Sequence, residues 1–169
     1  MKTLYLVRHA KAIMENRTVK DFDRQLLEKG LKRTRHIIDF LLNKNISVDL
    51  IICSPAVRAF ETARAIAHAL NYPLVNIKLD KTIYEGDANK IADLFYDLPQ
   101  NIDSLIIVGH NPSITNFANQ FLAEPIDFLP TSGIVSINFD TNSWEEIWLA
   151  KKITNFVVTP RMLKNNNGE

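Results

Sequence analysis

The sequence predicts an α/β fold: a three-layer sandwich whose mostly parallel central sheet has helices on both faces and an antiparallel C-terminal hairpin. Two observations predict this class. Short apolar runs alternate with longer segments whose apolar residues recur at helical spacing, as in right-handed β-α-β crossovers. The last two apolar runs flank a turn-like segment, which is typical of a hairpin.

Four segments predict the strands that precede the hairpin, because each is rich in Val, Ile, Leu or Tyr and is too short for a helix. In chain order they cover residues 2–7, 48–53, 74–78 and 104–108. The first, second and fourth segments are mainly apolar, which indicates strands that are buried on both faces. The hairpin is expected to pair residues 134–139 with residues 144–150.

Amphipathic helices are predicted between these strands, at residues 27–42, 56–70, 89–98 and 112–122. In the first helix the apolar residues recur at intervals of three, four or seven: Leu27, Leu31, Ile38 and Leu41. Ser54 and Asn111 are good N-cap residues, and each precedes a proline that suits the first helical position. We therefore expect them to cap the second and fourth helices.

Charge and composition exclude several classes of function. The 169 residues include 20 Lys and Arg against 19 Asp and Glu, and a net charge of +1 favours neither nucleic acid nor a membrane as partner. The single cysteine, Cys53, excludes an internal disulfide, and we expect it to be a small buried apolar residue. No signal peptide, membrane span or glycine-rich nucleotide loop is evident. We expect one domain over residues 1–163, a polar tail at 164–169 and a cytoplasmic location.

Polar residues at three strand ends form the candidate site, because ligands of parallel sheets bind beyond the carboxyl ends of the strands. Arg8 and His9 follow the first strand, Arg58 lies just after the second, and His110 follows the fourth. Each alone fits a structural role; Arg58, for example, could pair with Glu61. Together they place two imidazoles and two guanidinium groups at one sheet edge, which predicts a cationic pocket for a phosphoryl group.

Three motifs at these strand ends resemble those of the histidine phosphatase superfamily, which has the phosphoglycerate-mutase-like fold. They are Arg8-His9, Ser54-Pro55-x-x-Arg58-Ala59-x-x-Thr62-Ala63 and Gly109-His110-Asn111-Pro112. Further segments resemble the short SixA-type phosphohistidine phosphatases: Arg8-His9-Ala10-Lys11-Ala12, Asp23-Arg24-x-Leu26-x-x-x-Gly30, Tyr84-Glu85-Gly86 and Pro130-Thr131-Ser132-Gly133. The chain departs from the superfamily at Ala10, a common glycine position, and at Leu27, where relatives often have a capping threonine.

The resemblance implies a phosphatase in which His9 attacks phosphorus and becomes a phosphohistidine, which water then hydrolyses to inorganic phosphate. Imidazole suits this role, because a group with a pKa near about 6.5 is substantially neutral at physiological pH. Arg8, Arg58 and His110 would bind the phosphate oxygens, without a metal or other cofactor. The implied substrate is phosphohistidine on a protein, since short connections leave little chain for a lid over a small molecule.

The proton donor to the leaving group is open between two carboxylates. Glu85 matches the segment that supplies a carboxylic acid in larger branches of the superfamily, and Asp87 is the nearby substitute. Either could equally be a solvated loop carboxylate, and for Asp87 we prefer that structural role.

Two further cations near the motifs are expected to be structural. Arg24 is expected to pair with Asp21 or Asp23, and Lys11 is expected to be solvated. From the resemblance alone, the backbone of residues 131–133 is expected to line the site.

Two other functions remain open at this stage. One is a phosphatase or mutase of the same fold that acts on a small phosphorylated metabolite or phosphomonoester. The other is a non-catalytic phosphate-binding module, which the presence of both histidines and both arginines disfavours.

Overall fold

A six-stranded sheet forms the centre of the computed structural model, which describes residues 1–166. Its strands are Lys2–Arg8 (β1), Leu50–Cys53 (β2), Lys78–Leu79 (β3), Ser104–Gly109 (β4), Ile134–Phe139 (β5) and Lys152–Val158 (β6). Their order in the sheet is β3-β2-β4-β1-β5-β6. Strands β1 to β4 are parallel, whereas β5 pairs antiparallel with β1 and with β6. The predicted mostly parallel sheet with a C-terminal hairpin is confirmed.

Helices cover both faces of this sheet. They are Glu28–Asn43 (α1), Val57–Ala69 (α2), Lys81–Glu85 (α3), Ala88–Asp93 (α4), Ser113–Asn119 (α5) and Pro160–Asn166 (α6). Helices α1, α2 and α6 pack on one face, and α3, α4 and α5 pack on the other. The side chains of β1 alternate accordingly, with Tyr5 and Val7 on the first face and Leu4 and Leu6 on the second. The result is the predicted three-layer arrangement.

Helix α1 buries a stripe that differs from the predicted apolar one. Its buried residues are Gly30, Thr34, Ile37 and Leu41. Leu31 is instead 39% exposed. Gly30 lies against the backbone of Lys11, whose carbonyl accepts the N–H of Leu27. The small residue is needed because the loop that follows β1 packs directly on the first turn of α1.

The strand predicted at residues 74–78 is mostly wrong. Leu74–Asn76 is a 3-10 helix, and only Lys78–Leu79 pairs with β2. Strand β3 forms an edge of the sheet, so both of its residues are exposed, and Val75 is 92% exposed. A short apolar run does not distinguish an exposed turn from a buried strand.

The second strand of the hairpin begins later than predicted. Residues 144–150 contain the 3-10 helix Trp144–Glu146, and the strand that pairs with β5 is Lys152–Val158. Trp144 and Ile147 are three residues apart and both are buried in the core. The indole of Trp144 donates to the carbonyl of Ile102. This apolar run therefore fills the core at helical spacing and takes no part in the hairpin.

Two other boundaries also differ from the sequence prediction. The helix expected at residues 89–98 is α4 followed by the 3-10 helix Leu94–Asp97. Helix α6 includes residues 164–166, the start of the expected polar tail, and residues 167–169 lie outside the described part. Within residues 1–166, no helix combines the length and apolar character that crossing a membrane requires.

We expect Gly30→Ala to lower the free energy of unfolding by about 1–3 kcal/mol, the usual effect of forcing an extra carbon into a packed site. A Cβ atom at this position would overlap the backbone of Lys11, which cannot move without shifting the loop that carries His9. The higher helix propensity of alanine would offset about 1 kcal/mol at most. Urea denaturation measures the change, with the exposed Lys32→Ala on the same helix as control. A Gly30→Ala protein as stable as wild type would contradict this packing.

Candidate active site

The imidazole of His9 lies at the carboxyl end of β1, with one nitrogen held by the backbone. Its Nδ1 atom is 2.8 Å from the carbonyl oxygen of Ala10. Because a carbonyl can only accept, Nδ1 carries the proton. The Nε2 atom is 3.4 Å from Nε of Arg58, which can only donate. Both contacts therefore select the neutral tautomer with an unprotonated Nε2.

Burial keeps this imidazole uncharged. His9 is 6% exposed, and burial, together with the nearby His110, Arg58 and Arg8, lowers its pKa to about 3. The hydrogen bond to the Ala10 carbonyl opposes the shift without reversing it. The form with a free lone pair on Nε2 is therefore the populated form throughout the physiological pH range.

His110 follows β4 and packs beside His9, with the two ring centroids 5.1 Å apart. Its Nε2 atom is 2.7 Å from the hydroxyl of Ser54, and that oxygen also accepts the N–H of Ala56. We assign the hydroxyl proton of Ser54 to the hydrogen bond with Nε2, which places the ring proton of His110 on Nδ1. Burial, followed by the charge of Arg58, lowers the pKa of His110 to about 4. His110 is therefore also neutral, with Nδ1 as its donor.

Neither predicted N-cap residue caps its helix. Helix α2 begins at Val57, three residues after Ser54, and α5 begins at Ser113, two residues after Asn111. The side-chain amide of Asn111 donates instead to the carbonyl of Leu129. Both polar side chains are therefore engaged at the sheet edge, where they support the site.

The guanidinium of Arg58 contacts Asp21 and does not pair with Glu61. Its Nη1 and Nη2 atoms donate to the backbone carbonyl and the carboxylate of Asp21, at 2.6 and 3.0 Å. The carboxylate of Glu61 accepts the N–H of Leu26, so the alternative pairing considered for Arg58 is wrong. With Nε directed at His9, three of the five N–H donors of Arg58 are used. Two remain for a ligand.

Arg8 provides a second guanidinium with unused donors. Its Nη1 atom donates to the carbonyl of Leu129 at 3.1 Å. Within residues 1–166, Nε of Arg8 and Nδ1 of His110 are the only buried side-chain nitrogen or oxygen atoms without a hydrogen-bond partner. Leaving a buried donor unpaired costs about 1–3 kcal/mol. Both donors therefore favour a ligand that brings acceptor oxygens into this space.

The sequence analysis did not identify Asp21 as a site residue. Its carboxylate accepts hydrogen bonds from Arg24, Arg58 and the hydroxyl of Tyr84. Partial burial acts to raise the pKa of Asp21, but the bonds from Arg24, Tyr84 and Arg58 prevail and lower it to about 2. The expected pairing of Arg24 with Asp21 is confirmed. The sequence offered one signal for Asp21, namely that it lies three positions before Arg24, a residue of the SixA-like motifs.

These groups surround one cavity of about 540 Å³. Its lining residues are Arg8, His9, Asp21, Arg24, Arg58, Tyr84, His110 and Asn111. Three guanidinium groups are opposed by one carboxylate among these residues, so the cavity is cationic even with both imidazoles neutral. In the described residues, no three His, Cys, Asp or Glu side chains group as metal ligands do. The fold thus brings Arg8, His9, Arg58 and His110 together, as the sequence analysis expected.

Glu85 does not line this cavity. It is exposed at the last position of α3, whereas its neighbour Tyr84 forms part of the cavity wall. Successive helical side chains point about 100° apart, so the two cannot both face the site. The side chain of Asp87 accepts the N–H of Lys90 and caps α4, a structural role.

The backbone of residues 131–133 is hydrogen-bonded to the end of β1 and does not line the cavity. The N–H of Ser132 is shared between the carbonyls of Arg8 and His9, at 3.1 and 3.2 Å. The N–H of Arg8 donates to the carbonyl of Gly133. These bonds fix the backbone direction at the point where the chain leaves β1.

Comparison with known families matches residues 4–104 to the model of the histidine phosphatase superfamily (branch 1). Among curated proteins, the phosphohistidine phosphatase SixA of Escherichia coli is 22% identical over 139 residues, which cover 81% of this chain and 85% of that protein.

Solved structures share the fold over nearly the whole chain. A SixA-type protein of Agrobacterium tumefaciens is 25% identical, with a TM-score of 0.80 over 94% of this chain and 99% of that one. The histidine phosphatase SixA complexed with tungstate is 21% identical, with a TM-score of 0.79 over 95% and 99%. A phosphoserine phosphatase of Entamoeba histolytica in complex with 3-phosphoglyceric acid is 18% identical, with a TM-score of 0.65 over 96% and 100%.

We expect Nε2 of His9 to stay unprotonated when the pH of the ligand-free protein is lowered from 8 to 5. The reason is the burial that moves the pKa of His9 to about 3, so that acid does not reach the nitrogen until well below pH 5. Nitrogen-15 NMR of the imidazoles measures this, and the spectrum of His9→Ala assigns the signal. A protonation midpoint for His9 between pH 6 and 7 would contradict the description of the site.

Proposed function

The chain belongs to branch 1 of the histidine phosphatase superfamily, and we propose that it removes phosphate from phosphohistidine side chains of proteins, with His9 as the nucleophile. The observation that carries the proposal is the neutral Nε2 of His9 beside two buried, unpaired donors, Nε of Arg8 and Nδ1 of His110. A nitrogen lone pair next to donors that lack acceptors suits attack on a phosphoryl group.

In the first step, the lone pair of His9 Nε2 forms a bond to phosphorus while the bond from phosphorus to the substrate imidazole breaks. Arg8, Arg58 and His110 donate to the equatorial oxygens, which carry the negative charge of the transition state. The hydrogen bond from Nδ1 to the Ala10 carbonyl keeps the ring oriented and retains the Nδ1 proton. The substrate imidazole leaves with a proton taken from water, and the hydroxide formed takes up the proton that the attacking water releases in the second step.

In the second step, water attacks the phosphorus of the enzyme's phosphohistidine, and the bond to His9 Nε2 breaks. The electron pair returns to Nε2, and inorganic phosphate leaves the cavity. Burial helps here, because it disfavours the positive charge of the phosphorylated ring, and breaking the bond to Nε2 removes that charge. The same burial therefore supports both the attack and the hydrolysis.

The proposal includes no metal and no other cofactor in either step. Three guanidinium groups lie at the cavity wall, and they can supply the positive charge that phosphoryl transfer needs.

The protein substrate is supported by the relatives and by the aromatic rings at the site. The curated relative is named for phosphohistidine. The ring of Tyr84 packs edge-on against both His110 and Phe22, and Phe22 is 40% exposed. These rings extend from the cavity to the surface, where they could pack against an imidazole leaving group.

The role of Glu85 as proton donor stays a prediction. Its side chain is exposed at the end of α3, where it could reach only a leaving group that projects from the cavity. Imidazole needs less help from an acid than an alkoxide does, so an enzyme for phosphohistidine can work with a weakly placed acid.

A small-molecule phosphatase is the second candidate, favoured by the fold shared with the phosphoserine phosphatase. A non-catalytic phosphate-binding module is the third, and hydrolysis of p-nitrophenyl phosphate would exclude it.

The cytoplasmic location stays a prediction.

We expect His9→Ala to lower kcat by about 10³-fold or more while the thermal transition is retained, because it removes the nucleophile. Brief reaction of the wild type with a phosphorylated substrate should leave phosphate on His9, labile in acid and stable in base. Peptide mapping locates the label.

Cys53→Ser serves as the matched control, since burial raises the pKa of the Cys53 thiol to about 12 and no label should depend on it. The assays contain EDTA. Near-normal turnover by His9→Ala, or loss of wild-type turnover on chelation, would contradict the mechanism.

We expect kcat/KM for a phosphohistidine peptide to exceed that for phosphoserine peptides and 3-phosphoglycerate, because the site offers an imidazole leaving group an open, aromatic surface. Glu85→Gln should reduce turnover of the alkyl esters more than turnover of phosphohistidine. Steady-state kinetics on matched substrates measures both ratios. A metabolite preferred by orders of magnitude would favour the small-molecule phosphatase.

A further inference from the structure

Three cations lie beside the loop that carries the nucleophile, and the proposed mechanism does not use them. We call Lys11, Lys29 and Arg33 the basic cluster. Lys11 is two residues after His9, so their Cα atoms are at most about 7 Å apart. The carbonyl of Lys11 accepts the N–H of Leu27, which holds Lys11 against the first turn of α1. Lys29 lies in that turn, and Arg33 lies one turn further along.

The charges of the basic cluster repel one another. The adjacent Lys29 ammonium, with Arg33 adding to the effect, lowers the pKa of Lys11. Lys29 and Arg33 are four residues apart on one helix, a spacing at which like charges are unfavourable. In the part of the chain that the structure describes, none of the three forms an ion pair with a carboxylate. No carboxylate of the described residues offsets this repulsion, which leaves the three charges available to an acidic ligand.

The neighbouring basic pair on α1, Lys32 and Arg35, also forms no ion pair in the described residues, but its sequence spacing to acidic residues differs. Lys32 has Glu28 four residues before it, and Arg35 has Asp39 four residues after it. Opposite charges at this spacing stabilise a helix. Both cations are exposed, as Lys29 and Arg33 are. Helix α1 therefore carries two basic pairs, and only the pair next to the nucleophile's loop lacks an acidic residue four positions away.

We propose that the basic cluster binds carboxylate side chains of the phosphoprotein substrate, so that the enzyme prefers phosphohistidine flanked by acidic residues. The proposal rests on the proposed function for the identity of the substrate. Charge complementarity carries the choice of partner, because the net charge of the chain is only +1 and the positive field is local. The arginines of the cavity hold the phosphoryl group, and the basic cluster contacts the protein surface beside it.

The short chain separation of His9 and Lys11 indicates which substrate residues would lie near the basic cluster. Two residues of an extended chain span about 7 Å, similar to the upper limit between His9 and Lys11. We therefore expect acidic side chains that are near the phosphohistidine in sequence to lie close to Lys11.

The experiment compares two synthetic peptides that differ only in flanking residues. Each has one histidine phosphorylated with phosphoramidate, flanked on both sides by glutamate in one peptide and by glutamine in the other. At low salt, kcat/KM of the wild type should be about ten-fold higher for the acidic peptide. The double variant Lys29→Glu with Arg33→Glu should lose this preference, whereas its turnover of the glutamine peptide and of p-nitrophenyl phosphate stays unchanged.

The matched control is Lys32→Glu with Arg35→Glu, which makes the same change of net charge on the same helix. It should retain the preference for the acidic peptide. A second measurement uses Lys29→Glu alone, which places an acid four residues before Arg33 and should raise the melting temperature while it weakens the preference. Equal losses in the two double variants would assign the effect to the net charge and overturn the proposal.

A binding measurement distinguishes a failure of this proposal from a failure of the proposed function. The affinity of fluorescent acidic and glutamine peptides for His9→Ala, with and without the two cluster substitutions, reports on the basic cluster even if neither peptide is hydrolysed. Absence of hydrolysis by the wild type would reject the proposed function. Equal affinity of His9→Ala for both peptides would reject the role of the basic cluster. Tighter binding of a DNA oligonucleotide or an anionic vesicle than of the acidic peptide would reject the protein partner.

Discussion

The parallel pairing of β1 with β4 is the contact on which the site depends. Arg8 lies opposite Gly109 in the register of these strands, and the N–H of His9 donates to the carbonyl of Gly109. Both strands therefore end at the same level, and His9 and His110 leave the sheet side by side. Gly109 is required at this point because a Cβ atom would crowd the side chain of Ile83. One backbone contact thus sets the distance between the two imidazoles.

The electrostatics of the site follow from the burial of that sheet edge. Two imidazoles remain neutral because both rings are largely buried and arginines lie near them. Asp21 offsets part of the positive charge, and it also holds Arg58 in place through its carbonyl and its carboxylate. In the part of the chain that the structure describes, the buried side-chain donors without a partner are Nε of Arg8 and Nδ1 of His110. We propose that an oxyanion bound at this site would relieve the cost of these unpaired donors, a common relation between stability and function.

The sequence predicts the parts of the site that follow strands directly. Arg8, His9 and His110 adjoin continuous apolar strands whose ends must meet in a parallel sheet, so their proximity is a consequence of topology. Asp21 and Tyr84 could not be found in this way. Asp21 begins the 3-10 helix Asp21–Asp23, which lies in the long connection between β1 and α1. The position of this connection depends on tertiary hydrogen bonds, such as that from the N–H of Ile13 to the carbonyl of Gln25.

The errors of the sequence prediction have two causes. One is the rotation of side chains around a short helix, and the other is the ambiguity of short apolar runs. Whether Tyr84 or Glu85 faces the cavity depends on the exact start of the five-residue helix α3, which a sequence pattern does not define. The apolar runs at 74–78 and 144–150 were interpreted as strands because period-two and helical patterns are hard to distinguish over so few residues. These errors lie away from the ends of β1 and β4, so the prediction of the cationic pocket did not depend on them.

A crystal structure of the protein with vanadate tests the central claim most directly. The account predicts vanadium bonded to Nε2 of His9, with its oxygens accepting hydrogen bonds from Nε of Arg8, from Arg58 and from Nδ1 of His110. Vanadate held away from Nε2, or bound while the two donors of Arg8 and His110 stay unpaired, would contradict it.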